Sequence, residues 1–344
     1  MLEFRTREAM SFPMTNDTNP SPARAGRPSL DQPRIDIVLP TYNGGPYVRR
    51  QVESVLEQMD DRCRLLIRDD CSSDDTRSIL GELASRHPSR ICLIEDDGTT
   101  LGACGNFGRL LEHVDADYVA FCDQDDVWLP GRLALPLARI QTIERRWGRD
   151  LPILAHTDLV VVDEDLQVIT RSFWDYSRLD PACGNRLNRL LVQNIVTGCA
   201  TMINRAMVRE ACPIPKAAAM HDWWLALVAS AVGRIEAIAE PTVLYRQHRN
   251  NHLGATRYNW RYVFRRSVDF LGRDAMSIWR WTTHQQAVEF QRRFEGRLPL
   301  GKRESLAAYV DLENHGFFKR RVQLLKYGFM KTGSLRNFGW LLLS

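Results

Sequence analysis

Three carboxylates and an amide follow one apolar run in this sequence. Asp123, Gln124, Asp125 and Asp126 come directly after the strand-like run 118–122. Carboxylates crowded at the end of a buried strand repel one another unless a cation lies between them. A hard divalent cation such as Mg²⁺ or Mn²⁺ takes carboxylate oxygens and often substrate phosphates as well. The pattern therefore favours a divalent cation site that receives a phosphate-bearing ligand.

The same carboxylates have an alternative use in helix capping. Asp near a helix N-terminus accepts backbone N–H groups and complements the helix dipole. Residues 127–129 would begin such a helix. The sequence alone does not decide between the cation site and the helix cap.

A second polar cluster occupies residues 69–76. Residues 72–74 have the types that cap helices, and a helical pattern follows them. Capping does not explain Asp69 and Asp70, which lie at the tip of a predicted strand. A base or a ribose can donate hydrogen bonds to their carboxylates, so we expect a nucleotide here.

Alternating apolar runs predict the elements that position these clusters. Strands are predicted at 35–39, 64–68, 91–94 and 118–122, and helices around 47–56, 76–85 and 106–113. This alternation predicts an α/β fold with a doubly wound, mostly parallel sheet. Ligands of such sheets lie beyond the carboxyl ends of the strands, where three polar clusters fall: 41–45, 69–75 and 123–126.

The second half of the chain is less regular. Strands are predicted at 153–155, 159–162 and 199–203, and a helix at 223–232. Beyond residue 254 the composition becomes basic and aromatic, so we place a boundary near residue 255. Residues 1–33 lack apolar periodicity and are predicted to be a disordered tail.

Charge is distributed unevenly along the chain. The formal net charge is +4, but residues 257–344 hold 17 Lys/Arg against 7 Asp/Glu, a net +10 that leaves −6 for the rest. Such asymmetry points to an anionic partner: lipid headgroups, a phosphorylated acceptor or nucleic acid. The eight cysteines form no CxxC pair, so we expect reduced thiols. No segment approaches the ~18 apolar residues of a membrane span, so we expect a cytoplasmic protein.

Five motifs in register resemble a known family. Residues 39–44, 69–76, 106 and 123–126 resemble, in order and spacing, the family 2 inverting glycosyltransferases. Residues 221–224 and 245–251 resemble more narrowly the rhamnosyltransferase-like branch of bacterial surface-polysaccharide synthesis. The resemblance covers about residues 34–255. One departure is Cys71, which stands where Gly is common.

The resemblance implies a fold and a reaction. The fold is a GT-A-like catalytic domain at 34–255, followed by a basic aromatic helical extension at 256–344. The reaction moves a sugar, with rhamnose from dTDP-rhamnose as the suggested donor, from a nucleoside diphosphate to an acceptor hydroxyl. The acceptor would be a cell-surface polysaccharide or a lipid-linked glycan, and the cofactor a Mg²⁺ or Mn²⁺ ion.

The resemblance also implies residue roles. Thr41 and Asp69 would hold the pyrimidine base, and Asp222 would be the catalytic base. Asp222 could alternatively cap a helix beginning at Trp223. The metal ligands would be Asp123, Asp125 and His248, although His248 could equally be a surface histidine. The implied donor-binding residues are Pro40, Thr41, Tyr42, Asn43, Asp69, Asp70, Asn106, Asp123, Gln124 and Arg246.

Two other functions compete with this interpretation. A metal-dependent nucleotidyltransferase would also need clustered aspartates, but residues 41–45 lack the basic side chain of a phosphate loop. A nucleic-acid-binding protein could use residues 257–266, which interleave basic and aromatic residues. We expect no nucleic-acid partner, because the acidic strand ends before residue 255 would repel phosphates unless metals intervened.

The last part of the chain combines basic and apolar residues. Residues 317–331 and 340–343 have the composition of interfacial helices, which favours peripheral association with the anionic inner membrane face. The alternative is a helix packed on the catalytic domain with a solvated basic face.

Overall fold

The computed structural model describes residues 33–95, 98–248 and 273–343. Apart from Pro33, the predicted tail lies outside these ranges. The predicted boundary near residue 255 and the basic aromatic segment 257–266 also lie outside them.

The described residues form nine strands and twelve α-helices. The strands are β1 (Ile35–Thr41), β2 (Cys63–Asp69), β3 (Ile91–Leu93), β4 (Tyr118–Phe121), β5 (Val127–Trp128), β6 (Ile153–Val162), β7 (Val168–Thr170), β8 (Thr201–Asn204) and β9 (Arg234–Arg246). The helices are α1 (Gly45–Leu56), α2 (Thr76–Arg86), α3 (Gly102–Glu112), α4 (Ala134–Trp147), α5 (Phe173–Ser177), α6 (Leu187–Leu190), α7 (Arg205–Ala211), α8 (His221–Val232), α9 (Arg273–Phe294), α10 (Leu300–Val310), α11 (Phe317–Lys326) and α12 (Ser334–Leu343).

All nine strands belong to one sheet. Its order is β3-β2-β1-β4-β8-β6-β9-β5, and β7 pairs with β6. Strands β3, β2, β1 and β4 are parallel, whereas β8 is antiparallel to both β4 and β6. The predicted fold class, a doubly wound and mostly parallel sheet with C-terminal helices, is confirmed. The register pairs Thr41 with Asp69, so two predicted ligand-binding residues share one sheet edge.

Two separate strands were predicted where the structure has the single strand β6. The residues between the predicted strands are His156, Thr157 and Asp158, whose polarity interrupts the apolar pattern. Thr157 and Asp158 remain in the strand because neighbours supply partners: the hydroxyls of Thr157 and Thr242 share a 2.6 Å hydrogen bond, and Asp158 accepts the N–H of Trp174. His156 instead packs its ring against Trp174, with centroids 5.3 Å apart. The sequence pattern of one strand does not show that such a partner lies on another strand.

Successive side chains along each strand point to opposite faces of the sheet, so the core has one part on each face. In β1, Ile37 and Leu39 are buried in one hydrophobic cluster and Val38 in the other. Helices cover both faces, which explains why the strand is an almost continuous apolar run. Both layers therefore hold the carboxyl ends of the parallel strands in place.

The C-terminal helices pack against α8. The ring of Trp224 in α8 lies 5.8 Å from Phe290 and 6.2 Å from Phe294, both in α9. Lys302 in α10 donates a hydrogen bond to the carbonyl of Ser230. Within the described ranges, no helix is both long and apolar enough to cross a bilayer.

Gly233 connects α8 to β9 and permits a close backbone approach. A Cβ atom there would overlap the carbonyl oxygen of Pro152, which accepts the N–H of Arg234. We predict that Gly233→Ala lowers the free energy of unfolding by about 1–3 kcal/mol, the usual cost of overpacking. The measurement is denaturant unfolding.

The matched control is Gly81→Ala within α2, where a Cβ atom meets nothing within 4 Å. This change should stabilise the protein by about 0.5–1 kcal/mol, since Gly weakens a helix interior. Equal effects of the two substitutions would contradict the prediction.

Candidate active site

The loop between β4 and β5 carries the acidic cluster. Val127 and Trp128 form strand β5, which pairs with β9, so no helix begins there. The alternative that residues 123–126 cap a helix is therefore wrong. The partner strand decides the conformation, since Leu129 also donates its N–H to the carbonyl of Thr242.

Asp123, Asp126 and Cys199 form the innermost part of the cluster. One ligand atom of each lies within 4.8 Å of the others, and Asp126 is fully buried. Burial, followed by the charge of Asp125 and Asp222, raises the pKa of Asp123 to about 8. The pKa of Asp126 is also well above its usual range, first because of burial. Burial thus disfavours the charged forms of Asp123 and Asp126, and a cation bound between them would favour those forms.

Asp125, in the same loop, contacts His248. Nε2 of His248 lies 2.8 Å from a carboxylate oxygen of Asp125, and the imidazole stacks on Tyr47 at 4.6 Å. The structure thus brings together two predicted metal ligands that are 123 residues apart in sequence.

Arg246 supports the acidic loop through its backbone and its side chain. Its N–H donates to Asp126, and its guanidinium donates to the carbonyls of Asp125 and Glu164. The guanidinium also lies over the ring of Tyr47, 4.9 Å from the centroid. These contacts orient the acidic loop around the predicted metal ligands.

Gln124 joins the acidic loop to the loop after β1. Its amide accepts the N–H of Tyr42 at 2.8 Å and donates to the carbonyl of Tyr42 at 3.0 Å. A Cβ atom at Gly44 would overlap the end of the Gln124 side chain, so a larger residue there would displace this amide. Gln124, predicted to bind the donor, thus uses its amide to bind the backbone of Tyr42. The side chain of Tyr42, another predicted donor-binding residue, is 55% exposed.

Thr41 and Asp69, the predicted base-binding pair, contact each other. The Thr41 hydroxyl donates to Asp69 at 2.8 Å, and the carboxylate also accepts the hydroxyl and N–H of Ser72. Asn43 holds the same turn by accepting the N–H of Ser73. Cys71 adopts a φ of 65°, which explains why glycine is common at this position.

Asp70 and Asn106 lie behind these residues and are buried. Both accept hydrogen bonds from the guanidinium of Arg68, and Asp70 also accepts the N–H groups of Leu101 and Gly102. These contacts fix the start of α3 against the end of β2. Pro40 lies opposite Arg68 in the register of β1 and β2.

Asp222 lies in the first turn of α8, whose N-cap is Met220. The alternative, in which Asp222 is the N-cap of a helix that begins at Trp223, is therefore wrong, because the helix begins at His221. One carboxylate oxygen accepts the N–H of Gly198 at 3.0 Å, and the Asn194 side chain hydrogen-bonds the carboxylate. Burial raises its pKa to about 6. Asp222 is close enough to Asp123 to raise the pKa of that residue.

Sequence reasoning missed Arg132 and gave no role to His221, and both residues shape this site. Arg132 is fully buried and donates to the carbonyls of Phe121, Cys199 and Thr201, which lie at the ends of β4 and β8. His221 lies between Phe107 and Phe121, 3.7 and 5.4 Å from their centroids. Burial lowers the pKa of His221 to about 3, so the ring is a neutral packing group. The motif at residues 221–224 includes this histidine, but no local pattern shows that its ring is buried between two phenylalanines.

Comparison with known proteins defines the class. Residues 36–145 match the model of the family described as glycosyl transferase family 2. The protein is a glycosyltransferase, and it carries the family 2 domain that the sequence motifs predicted.

Two relatives extend the similarity beyond the domain. The dTDP-rhamnosyl transferase RfbG of Shigella flexneri is 28% identical over 224 residues, 63% of this chain and 74% of the relative. The putative teichuronic acid biosynthesis glycosyltransferase TuaG of Bacillus subtilis is 26% identical over 240 residues, 68% and 88% respectively. The solved structure of S. aureus TarS 1-349 with UDP-GlcNAc is 13% identical, covers 84% of this chain and 83% of its own, and superposes with a TM-score of 0.49. The assignment rests on the sequence matches.

Protonation and cation binding should compete at Asp123. Its pKa of about 8 exceeds the ordinary Asp value of about 4, so between these values the folded protein binds more protons than the unfolded chain. The contribution of Asp123 to stability is therefore greatest below about pH 4 and falls as pH rises towards about 8. A cation that replaces the proton should stabilise the protein more at high pH.

We predict that Mn²⁺ raises the melting temperature more at pH 8 than at pH 6, as measured by calorimetry. Asp125→Ala should lose most of this response. A manganese effect that is the same at both pH values, or that persists in Asp125→Ala, would contradict the assignment.

Proposed function

We propose that this glycosyltransferase transfers a sugar from a nucleoside diphosphate donor to an acceptor hydroxyl with inversion at the anomeric carbon. The observation that carries the proposal is the approach of Asp222 to the acidic loop. A buried carboxylate held by Gly198 and Asn194 faces Asp123, whose pKa it raises. One site therefore contains a candidate base and a candidate phosphate-binding loop.

The side chains of the acidic loop fit a divalent cation. Asp123, Asp125 and His248 would supply oxygen and imidazole ligands, types that suit Mn²⁺ and, for the carboxylates, Mg²⁺. Among the described residues, the ligand atoms that lie within 4.8 Å of one another are those of Asp123, Asp126 and Cys199, so Asp125 and His248 would have to approach the ion from the outer side of this group. Burial and then the neighbouring carboxylates raise the pKa of Asp123 and Asp126, and a bound cation would offset both effects. When bound, the ion would act as a Lewis acid that stabilises negative charge on the departing diphosphate.

The loops after β1 and β2 form the proposed nucleotide site. Thr41 and Asp69 would receive the pyrimidine, since their polar groups lie together at the sheet edge. The half-exposed ring of Tyr42 offers a surface on which a base can stack. Asp70 and Asn106 would act indirectly, because their contacts through Arg68 fix the end of β2.

Asp222 would act as the general base. The acceptor oxygen attacks the anomeric carbon as its proton passes to the carboxylate, and the diphosphate leaves with the bonding electron pair. Displacement from the opposite side inverts the anomeric centre. A pKa of about 6 leaves the carboxylate ionised at neutral pH, yet more basic than an ordinary Asp.

The name of one relative suggests the substrates. Because RfbG is a dTDP-rhamnosyl transferase with 28% identity, we propose dTDP-rhamnose as the donor. The acceptor would be a cell-surface polysaccharide or a lipid-linked glycan. Peripheral association with an anionic membrane belongs to the same proposal, since a lipid-linked acceptor is presented at a bilayer.

A donor screen tests this function. The purified protein is incubated with dTDP-rhamnose and other nucleotide sugars, and nucleoside diphosphate release is measured with and without Mn²⁺. We expect release from one donor, reversible loss with EDTA, and loss in Asp125→Ala. Full activity in EDTA would refute the metal role, and no release from any donor would refute the transfer.

Asp222→Asn separates the base from the donor site. The substitution keeps the shape of the side chain but cannot accept the proton, so turnover should fall on the order of 10²–10⁴-fold while donor affinity persists. The rate of the wild type should fall below about pH 6, because protonation inactivates the base. The measurements are transfer rate, donor dissociation constant and melting temperature.

Asn194→Ala is the matched variant, because it removes a hydrogen bond to the carboxylate and keeps the base. Its turnover should remain well above that of Asp222→Asn. A near-normal rate in Asp222→Asn would exclude the base assignment, and lost donor binding would make Asp222 a donor ligand.

A further inference from the structure

Helices α11 and α12 expose apolar side chains on adjoining surfaces. Phe318, Val322 and Leu325 follow one another at helical spacing along α11, and Phe318 is 83% exposed. Phe338 and Leu342, one turn apart on α12, are also exposed. We call these five side chains the two-helix face. Five exposed apolar side chains on two helices that are hydrogen-bonded to each other indicate an interaction surface.

The two helices are held together on their inner sides. Arg321 of α11 donates hydrogen bonds to the carbonyls of Leu341 and Leu342 at the end of α12, both at 2.9 Å. Trp340 is buried and donates to the carbonyl of Phe329. The helices therefore already have packed inner sides, and the two-helix face is the side that remains in solvent.

Charge identifies the kind of partner. Residues 316–344 contain six Lys/Arg and no Asp or Glu, and Lys319 and Lys326 are exposed on α11. A second copy of the chain would bring two such basic surfaces together, which electrostatic repulsion opposes. An anionic bilayer offers both an apolar interior and negative headgroups.

We propose that the two-helix face docks on an anionic lipid bilayer. Its apolar side chains enter the boundary between headgroups and acyl chains, while Lys319 and Lys326 contact the headgroups. This assigns a surface to the membrane association in the proposed function, on which the inference rests.

The inner side of the extension connects this surface to the candidate base. Asn188 donates to the carbonyl of Tyr327, and Gln193 accepts the N–H of Thr332. Asn194, which hydrogen-bonds Asp222, follows Gln193 directly. The docked extension would thus support the segment that holds the base.

Vesicle co-sedimentation tests the docking surface without reference to catalysis. The probes are vesicles of phosphatidylcholine alone and of phosphatidylcholine with phosphatidylglycerol. The variants are Phe318→Ser/Val322→Ser and Lys319→Gln/Lys326→Gln, and melting temperature verifies their folding. The matched control is Trp147→Ser, which removes an exposed aromatic residue beside Arg146 elsewhere on the protein.

The wild type should partition to the anionic vesicles, and salt should weaken binding. Each lost cation should cost about fivefold, so the double lysine variant should lose roughly 25-fold. The apolar variant should lose at least about tenfold, and Trp147→Ser should match the wild type.

Several results would overturn the proposal. These are equal partition to both vesicle types, partition to neither, or unchanged partition in both double variants. If light scattering detects oligomers of the wild type and Phe318→Ser/Val322→Ser abolishes them, the two-helix face binds a second copy of the chain instead. If the protein binds anionic vesicles but turns over no donor, the docking proposal stands and only the proposed function is refuted.

Discussion

The burial of clustered carboxylates that also repel one another organises the candidate site. Asp123, Asp125 and Asp126 are crowded between β4 and β5, and Asp222 approaches from α8. Removing such groups from water is costly unless protons or cations compensate them. The raised pKa values of Asp123 and Asp126 express this cost. A cation bound among these carboxylates would offset this cost and would also attract the negative charge of a diphosphate ligand.

Hydrogen bonds from distant elements hold these charges in place. Arg246 of β9 binds the backbone of the acidic loop, and Gln124 binds the backbone of Tyr42. Beneath the loop, burial lowers the pKa of Arg132 to about 10, so its guanidinium stays charged at neutral pH. Its carbonyl partners fix the neighbouring ends of β4 and β8. These contacts position the charged groups of the site without a ligand, as positioned catalysis requires.

The candidate base depends on a longer chain of contacts. Gly198 and Asn194 bind the carboxylate of Asp222, and Trp223 donates its indole N–H to the carbonyl of Leu190. The C-terminal helices then bind Asn188 and Gln193 in the same segment. A change in the extension can reach the base through this segment, which gives the basic helices a role in the site as well as at the surface.

The sequence by itself determined the parallel half of the sheet and the polar clusters at its strand ends, because strand period and strand termination are local properties. It also indicated Asp125 and Asp222 through their motifs. Only the tertiary structure decided that residues 127–128 form a strand, because their partner is the distant β9. It likewise decided that His248 meets Asp125 across 123 residues, and that Asp70 and Asn106 turn inward to Arg68. Hydrogen-bond partners and burial arise from chain segments that no local pattern encodes, so these roles required the folded protein.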